Sequence, residues 1–291
     1  MLHYLATEQW HETCPESVQT HAINNLEKGE ILYFPQLTFS LTPNEQQFLS
    51  PEYADPDTKN ISYHTEHKSL KGVQNLSDIQ QNQMKAMLDR FACYSQSLIQ
   101  STIPSYSPLL ILGRTSYRPV QIHGRKSSCR KDDTRLHIDA FPSSPNHGKR
   151  ILRVFSNINP HGEERVWRVG EPFEQVAERF LPQIKTPFPG SASLLHWLRI
   201  TKSYRTAYDH YMLNMHHRMK TDDHYQKNAP QQEIRFPPNC SWIVQTDDVS
   251  HAAMSGQYVL EQTFYLPINA MQNESKSPLR ILESLLHRQL I

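Results

Sequence analysis

At 291 residues with a net charge of +1, the chain can bury a sizeable core and carries no bulk charge that would draw it to nucleic acid or to a lipid surface. Twenty prolines against nine glycines, with 10% aromatic residues, suit a loop-rich globular fold whose turns lean on Pro, Asn and Asp. Cys14, Cys93, Cys129 and Cys240 have no C-x-x-C spacing, no run of 18 apolar residues occurs, and the first residues lack a basic stretch followed by an apolar one. These features lead us to expect reduced thiols, no membrane span and a cytoplasmic location.

Residues 1–30 are polar and locally acidic. Glu30 to Phe34 reads as a first strand stopped by Pro35, and Pro43 to Leu49 as a short helix opened by its proline. Residues 50–76 have no clear period and read as a long loop. Ser77-Asp78 can cap a helix that continues to about Ile103, with Met84, Met87, Leu88, Phe91, Leu98 and Ile99 forming a core-facing stripe. From Leu109 to Leu266 the texture changes to short strands, at 109–112, 116–122, 134–141, 150–158, 166–168, 241–245, 249–253 and 258–266. Helices are expected at 172–181 and 200–220. Pro278 to Ile291 reads as an amphipathic helix carrying Leu279, Ile281, Leu282, Leu285, Leu286 and Leu290. Many short strands separated by turn signals indicate a mainly β sandwich or barrel with flanking helices.

The chemistry centres on Thr134 to Phe141. On a strand, His137 and Asp139 share one face and Ile138 packs behind. One imidazole and one carboxylate on the same side form two corners of a 2-His-1-carboxylate site, the ligand set of non-heme Fe(II) oxygenases. The spacing alone is weak among sixteen histidines. His64-Thr65-Glu66 and His161-Gly162-Glu163 share it, but in a polar run and an Asn-Pro-His-Gly turn. His251, in a strand-like segment after Asp247-Asp248, is the best second histidine, while His196 reads as a core residue. His210 and His217 stand two helical turns apart, about 10.5 Å, too far to share a zinc ion. They read, with His216 and His224, as surface histidines.

An α-keto acid co-substrate needs a cation for its far carboxylate. After His251 no Lys or Arg occurs before Lys276, and the next strand offers Gln262 instead. The strand after Asp139 supplies Arg153, with Phe155 and Asn157 on its face and Arg150 on the other. A mid-strand arginine there fits either an anionic ligand or an internal ion pair. Between Arg114 and Arg168 twelve Lys or Arg stand against five Asp or Glu, which suits an anionic substrate as well as a solvated face. Phosphate-cradling, dinucleotide and nucleophile-elbow motifs are absent.

His137-Ile138-Asp139, the run Gly148 to Pro160 and the run Glu164 to Phe173 together resemble the bacterial 3-deoxy-D-manno-oct-2-ulosonic acid (Kdo) hydroxylases, most clearly over about residues 110–265. The resemblance implies one domain, 1–291, with a double-stranded β-helix (jelly-roll) core at about 105–270. It implies Fe(II), 2-oxoglutarate and molecular oxygen as cofactors and C3 of a Kdo sugar on a lipid A-type glycolipid as the target. His137, Asp139 and His251 would hold the iron and Arg153 the co-substrate. Gln262 stands where many of the wider superfamily have an arginine, which brings in Arg118 and Trp167 as helpers. Such a substrate lies at the inner-membrane surface, so the 202–220 helix and the C-terminal helix become candidates for peripheral contact. Oxidation of another metabolite or protein side chain, and a metal-free sugar-binding jelly roll, are the competing readings.

Overall fold

The protein is described here as a computed structural model covering residues 2–122, 124 and 128–291. Of the basic surplus, Arg125 and Lys126 lie outside the described residues. The N-terminal third contributes β1 (Leu2–Tyr4), α1 (Glu16–Leu26), β2 (Ile31–Phe34), β3 (Ile61–His64), β4 (Ser69–Lys71) and α2 (Asp78–Thr102). Then come β5 (Ile111–Arg118), β6 (Arg150–Asn157), β7 (Arg165–Val169), α3 (Phe173–Phe180), α4 (Ser191–Trp197), α5 (Ala207–Thr221) and α6 (Asp223–Asn228). The chain continues through β8 (Gln232–Phe236), β9 (Ser241–Gln245), β10 (His251–Ser255) and β11 (Val259–Leu266) to α7 (Pro278–Leu286).

Eight strands form one sheet in the order β1-β2-β9-β6-β11-β5-β3-β4, and three form a smaller sheet in the order β10-β7-β8. The two sheets make the jelly roll expected from the sequence. Their facing sides meet through Phe155, Trp167, Phe236 and Trp242, with Phe155 and Trp242 stacked at 5.0 Å between ring centroids. Behind the main sheet, α1 and α2 close a second apolar cluster on the alternate residues Leu152, Val154 and Ile243. Behind the small sheet, α3, α5 and α7 cover Leu136, Ile138 and Ala252.

Local signals account for much of this. Ser77 and Gln80 form the two reciprocal hydrogen bonds of a capping box at the start of α2. Phe173, Val176, Ala177 and Phe180 are the buried side of α3, at the spacing the sequence indicated. Several expectations need correction. The stretch 50–76 contains the β3–β4 hairpin, paired to β5 at the sheet edge, and is too short and polar to stand out by period. The segments 109–112 and 116–122 are parts of one strand, β5, which crosses Gly113 because β11 runs alongside it. The 43–49 helix is only a 3-10 turn, Gln46–Phe48. Helix α5 begins at Ala207, where Thr206 caps it, rather than at 200. His196 is half-buried in α4 against Tyr204, at 4.4 Å between rings, not in the core.

Arg150 illustrates what the core asks of a charge. It is fully buried, with Nε 2.8 Å from Asp247 and Nη2 3.5 Å from Asp248, so one cation serves two carboxylates at the turn between β9 and β10. Burial, partly offset by Arg150, pushes the Asp248 carboxyl up to about 7. We expect Arg150→Ala to cost about 3–5 kcal/mol in denaturant unfolding by leaving both carboxylates uncompensated. Because Asp248 binds its proton more tightly folded than unfolded, its contribution to stability falls as pH rises from about 4 to 7. Asp248→Asn removes that loss, so its stability relative to the parent should climb over the same interval in paired denaturation curves.

Candidate metal centre

The segment 134–141 is extended but is not a regular strand. It joins the small sheet through one antiparallel bridge, His137 to His251. The amide of His137 donates to the carbonyl of His251 at 3.0 Å, and the reverse bond measures 2.9 Å. The two histidines therefore sit directly opposite one another, their rings 4.6 Å apart. Alternation turns Leu136 and Ile138 outward into the helical cluster, both fully buried, and His137 and Asp139 inward. The Asp139 amide donates to the Thr246 carbonyl at 2.8 Å, tying this segment to the turn that Arg150 secures.

The outer side of the segment is closed by side chains. The carboxamide of Gln226, in α6, accepts from the Leu136 amide at 2.7 Å and donates to the Leu136 carbonyl at 2.9 Å. His216 Nδ1 donates to the Ile138 carbonyl at 2.7 Å.

One nitrogen, one nitrogen and one carboxylate oxygen, from His137, His251 and Asp139, lie within 4.8 Å of one another. All three residues are buried. Each histidine spends its Nδ1–H on a backbone carbonyl, Arg135 at 2.7 Å and Val249 at 2.8 Å, which leaves the Nε2 lone pairs for the shared point. Burial, above all, holds both imidazoles below their usual pKa and hence in the neutral, metal-binding form. At Asp139 burial opposes ionisation, but Arg153, His251 and His137 outweigh it and keep the carboxyl far below its ordinary range. The donor set and its tautomers fit Fe(II) with positions left open for other ligands. Neither His64-Thr65-Glu66 nor His161-Gly162-Glu163 enters a three-ligand cluster among the described residues.

A cavity of about 370 Å³ opens over the triad. Arg153, Phe155, Trp167, Arg118 and Glu261 line it, as the strand alternation requires. Arg153 bridges Asp139 Oδ2 at 2.9 Å and Glu261 at 2.8 Å, and Arg118 takes the other Glu261 oxygen at 2.6 Å. The internal ion pair left open by the sequence is thus present, with the Arg153 Nε still without a hydrogen-bond partner. Trp167 stacks on His251 at 5.1 Å, and its indole N–H is likewise unpartnered. Gln262 stands elsewhere. It faces away from the cavity on β11, bonded to Thr115 Oγ1 at 2.6 Å, and the inward residue at that level is Glu261. One residue of register separates the two.

Several cavity residues escaped the sequence reading, His217 among them. Arg165 is buried with no ion pair among the described residues. It donates to the Gly256 carbonyl at 3.1 Å, its Nε is unpartnered, and burial lowers its pKa to about 9. His216 is a cavity residue rather than a surface one, edge-on to His137 at 5.1 Å and lowered to about 4 chiefly by burial. Lys220, one turn further on α5, is buried 3.4 Å from Asp133, which also pairs with Lys59 at 2.6 Å. The i, i+4 spacing of His216 and Lys220 was the available signal, masked by the many polar residues of that helix.

Comparisons with known proteins agree with this chemistry. The family model described as 3-deoxy-D-manno-oct-2-ulosonic acid (Kdo) hydroxylase matches residues 9–289. Similar solved structures include the Kdo hydroxylase KdoO, a non-heme Fe(II) α-ketoglutarate dependent dioxygenase, in complex with α-ketoglutarate and Fe(III). It is 46% identical over 100% of this chain and 97% of that chain, with a TM-score of 0.96. The cobalt(II) complex and the succinate and Fe(III) complex of KdoO match at the same identity and coverage, with TM-scores of 0.97 and 0.95. A comparison with curated proteins finds no match.

Removing a residue that merely orients a metal ligand costs about 10- to 100-fold in affinity. We therefore expect His137→Ala, Asp139→Ala and His251→Ala each to weaken Co(II) binding by more than about 100-fold, with a lowered unfolding temperature of the apo protein for Asp139→Ala, which removes one carboxylate partner of buried Arg153. His216→Ala should retain the metal. Spectroscopic Co(II) titration distinguishes these outcomes, and full binding by Asp139→Ala would remove it from the ligand set.

Proposed function

The chain belongs to the Kdo hydroxylase family, and from that premise we propose that it hydroxylates C3 of a Kdo sugar carried on a lipid A-type glycolipid. It is an Fe(II)- and 2-oxoglutarate-dependent dioxygenase. The observation that carries the finer reading is the inward-facing triad beneath a cavity whose buried cations have donors to spare.

We assign His137, Asp139 and His251 as iron ligands. Iron, when bound, supplies the oxidising chemistry that couples decarboxylation of 2-oxoglutarate to succinate with insertion of one oxygen atom into a C–H bond. The protein's own share is placement and charge. Arg165, buried without a carboxylate partner, is the best-suited cation for the co-substrate's far carboxylate. Arg153 joins it from the facing sheet, since a guanidinium has five donors and the two ion pairs use only part of them. Trp167 can donate its indole N–H, and Arg118 holds Glu261 so that the carboxylate does not compete. Phe155 and Trp167 add apolar surface beside these charges. At the mouth, the exposed Arg130 and Lys131 suit an acid sugar on a phosphorylated lipid.

For a peripheral membrane contact we favour a surface other than the two helices named from the sequence. Helices α5 and α7 bury their apolar sides in the cluster behind the small sheet. Exposed apolar side chains gather instead around α4, at Phe188, Leu194, Trp197, Leu198, Ile200 and Tyr204, with Phe188 79% and Trp197 76% accessible. No Asp or Glu occurs between Glu178 and Asp209, and Lys185, Arg199 and Arg205 flank the patch. That combination suits the interface of an anionic bilayer. No helix among the described residues is long and apolar enough to cross a membrane.

Incubating the iron-loaded protein with 2-oxoglutarate and Kdo-lipid should give a product heavier by one oxygen atom, with stoichiometric succinate. Turnover of free metabolites but not of Kdo acceptors would overturn the substrate assignment. Trp197→Glu should abolish co-sedimentation with anionic vesicles while leaving turnover of detergent-dispersed acceptor unchanged. Raising salt should weaken capture of the lipid more than binding of 2-oxoglutarate, because exposed charges are screened over about 8 Å at physiological ionic strength and buried ones are not.

A further inference from the structure

A second cavity, about 720 Å³, lies beside the metal cavity and shares Arg114, Phe141 and Pro142 with it. Phe141 stands between two guanidinium groups, with Arg114 Cζ 5.9 Å and Arg153 Cζ 5.8 Å from its ring centroid. Arg153 lines only the metal cavity, whereas Arg114 faces both. The ring is therefore a partition with a cation near each chamber.

We propose that this second cavity is an oxyanion subsite, built by Arg114, Lys149, Lys202 and His64, that holds a phosphate or carboxylate group adjoining the sugar presented to the metal. The proposal rests on the glycolipid reading given above.

Its walls come from parts of the chain far apart in sequence. His64 ends β3, Arg114 lies in β5, Lys149 immediately precedes β6, and Lys202 follows α4. Lys202 is fixed in place through its backbone, whose amide donates to the Ser143 carbonyl at 2.9 Å. The charged ends of Arg114, Lys149 and Lys202 form no ion pair among the described residues, and the single carboxylate on the wall, Glu66, is exposed. Cations that converge on one cavity without an ion pair of their own favour an anion placed between them. Burial lowers the pKa of His64, with Arg114 and Lys202 next among the causes, and burial lowers that of Arg114 against the opposing pull of Glu261 in the adjoining cavity. An anion would relieve both. Tyr265 sits on the same face of β11 as Glu261 and adds a phenol to the wall, a partner for a sugar hydroxyl. The size suits one further sugar or phosphate group rather than a small ion alone. An acceptor whose target carbon lies over the triad can pass Phe141 and place its neighbouring group here.

The test uses Lys149→Glu and Lys202→Glu, neither of which lines the metal cavity. Lys149 also lies outside the exposed apolar patch, which separates this effect from membrane capture. With detergent-dispersed, phosphorylated Kdo-lipid, each variant should raise KM at least about tenfold, the equivalent of about 1.4 kcal/mol, with kcat and acceptor-free succinate release unchanged. Lys149→Arg and Lys202→Arg should restore the parent value. If the effect disappears on dephosphorylated acceptor, phosphate is the group held. If it persists there and vanishes on acceptor lacking a neighbouring acid sugar, the group is a carboxylate. Calorimetry of the apo protein with inorganic pyrophosphate supplies a readout independent of turnover, and binding should be lost in both Glu variants. Unchanged KM on every acceptor together with unchanged pyrophosphate binding would overturn the subsite. Failure of the parent to hydroxylate any Kdo acceptor would instead overturn the functional reading, and the pyrophosphate arm would still decide the subsite.

Discussion

One reciprocal pair of backbone hydrogen bonds, between His137 and His251, fixes the geometry on which the centre depends. It brings together residues from opposite ends of the jelly roll and sets their side chains on the same face. Asp139 follows two residues later and so needs no separate device to reach that face. The bond pair is short in extent, and its surroundings stiffen it. Leu136 and Ile138 are buried behind it, each worth about 1.5–3 kcal/mol of apolar transfer. The Asp139 amide is held by Thr246, and the turn beyond Thr246 is secured by Arg150. A slip of one residue would put Leu136 and Ile138 into the cavity and the ligands among the helices, which the packing forbids.

The second constraint is electrostatic. Asp139, Arg153, Glu261 and Arg118 form an alternating chain of buried charges through contacts of 2.9, 2.8 and 2.6 Å. Burial opposes ionisation of Glu261, but Arg118 and Arg153 reverse this and lower its carboxyl to about 2. The chain orients Asp139 from behind and gives Arg153 two tasks. Loss of Arg153 would disturb a metal ligand as well as any ligand anion, and would strand the Asp139 carboxylate in the interior while Glu261 kept Arg118. Arg165 has no such entanglement, which makes it the simpler probe of co-substrate binding.

The sequence was most informative where one periodicity dominated. Helices α2 and α3 were legible because their apolar residues recur at 3.6 residues, and strands β6, β9 and β11 because they are short runs of β-branched, aromatic and other apolar residues. His137 and Asp139 were singled out by the alternation of Leu136 and Ile138 around them, and His251 by its strand-like segment, and the structure brings the three together. The β3–β4 hairpin was not, because four residues ending at His64 give too little alternation amid polar neighbours. The assignment of Gln262 failed by one register step, since β11 is buried on both faces and its sequence cannot say which faces the metal. Arg165 was counted only within the basic surplus, because burial of an arginine is decided by strands that arrive from elsewhere. His216 and Lys220 were lost on a helix whose two sides are both packed, one on the cluster and one on the cavity.

The segment carrying His137 and Asp139 is the outer edge of the small sheet, and such an edge would ordinarily expose donors and acceptors to any passing strand. Here Gln226 occupies both backbone groups of Leu136, and His216 occupies the carbonyl of Ile138. A carboxamide and an imidazole thus stand in for the missing neighbour strand. An extended polypeptide cannot zip onto the rim that bears the metal ligands, nor can a second copy of the chain. The centre is thus open at the cavity over the triad and closed to strand pairing along this edge.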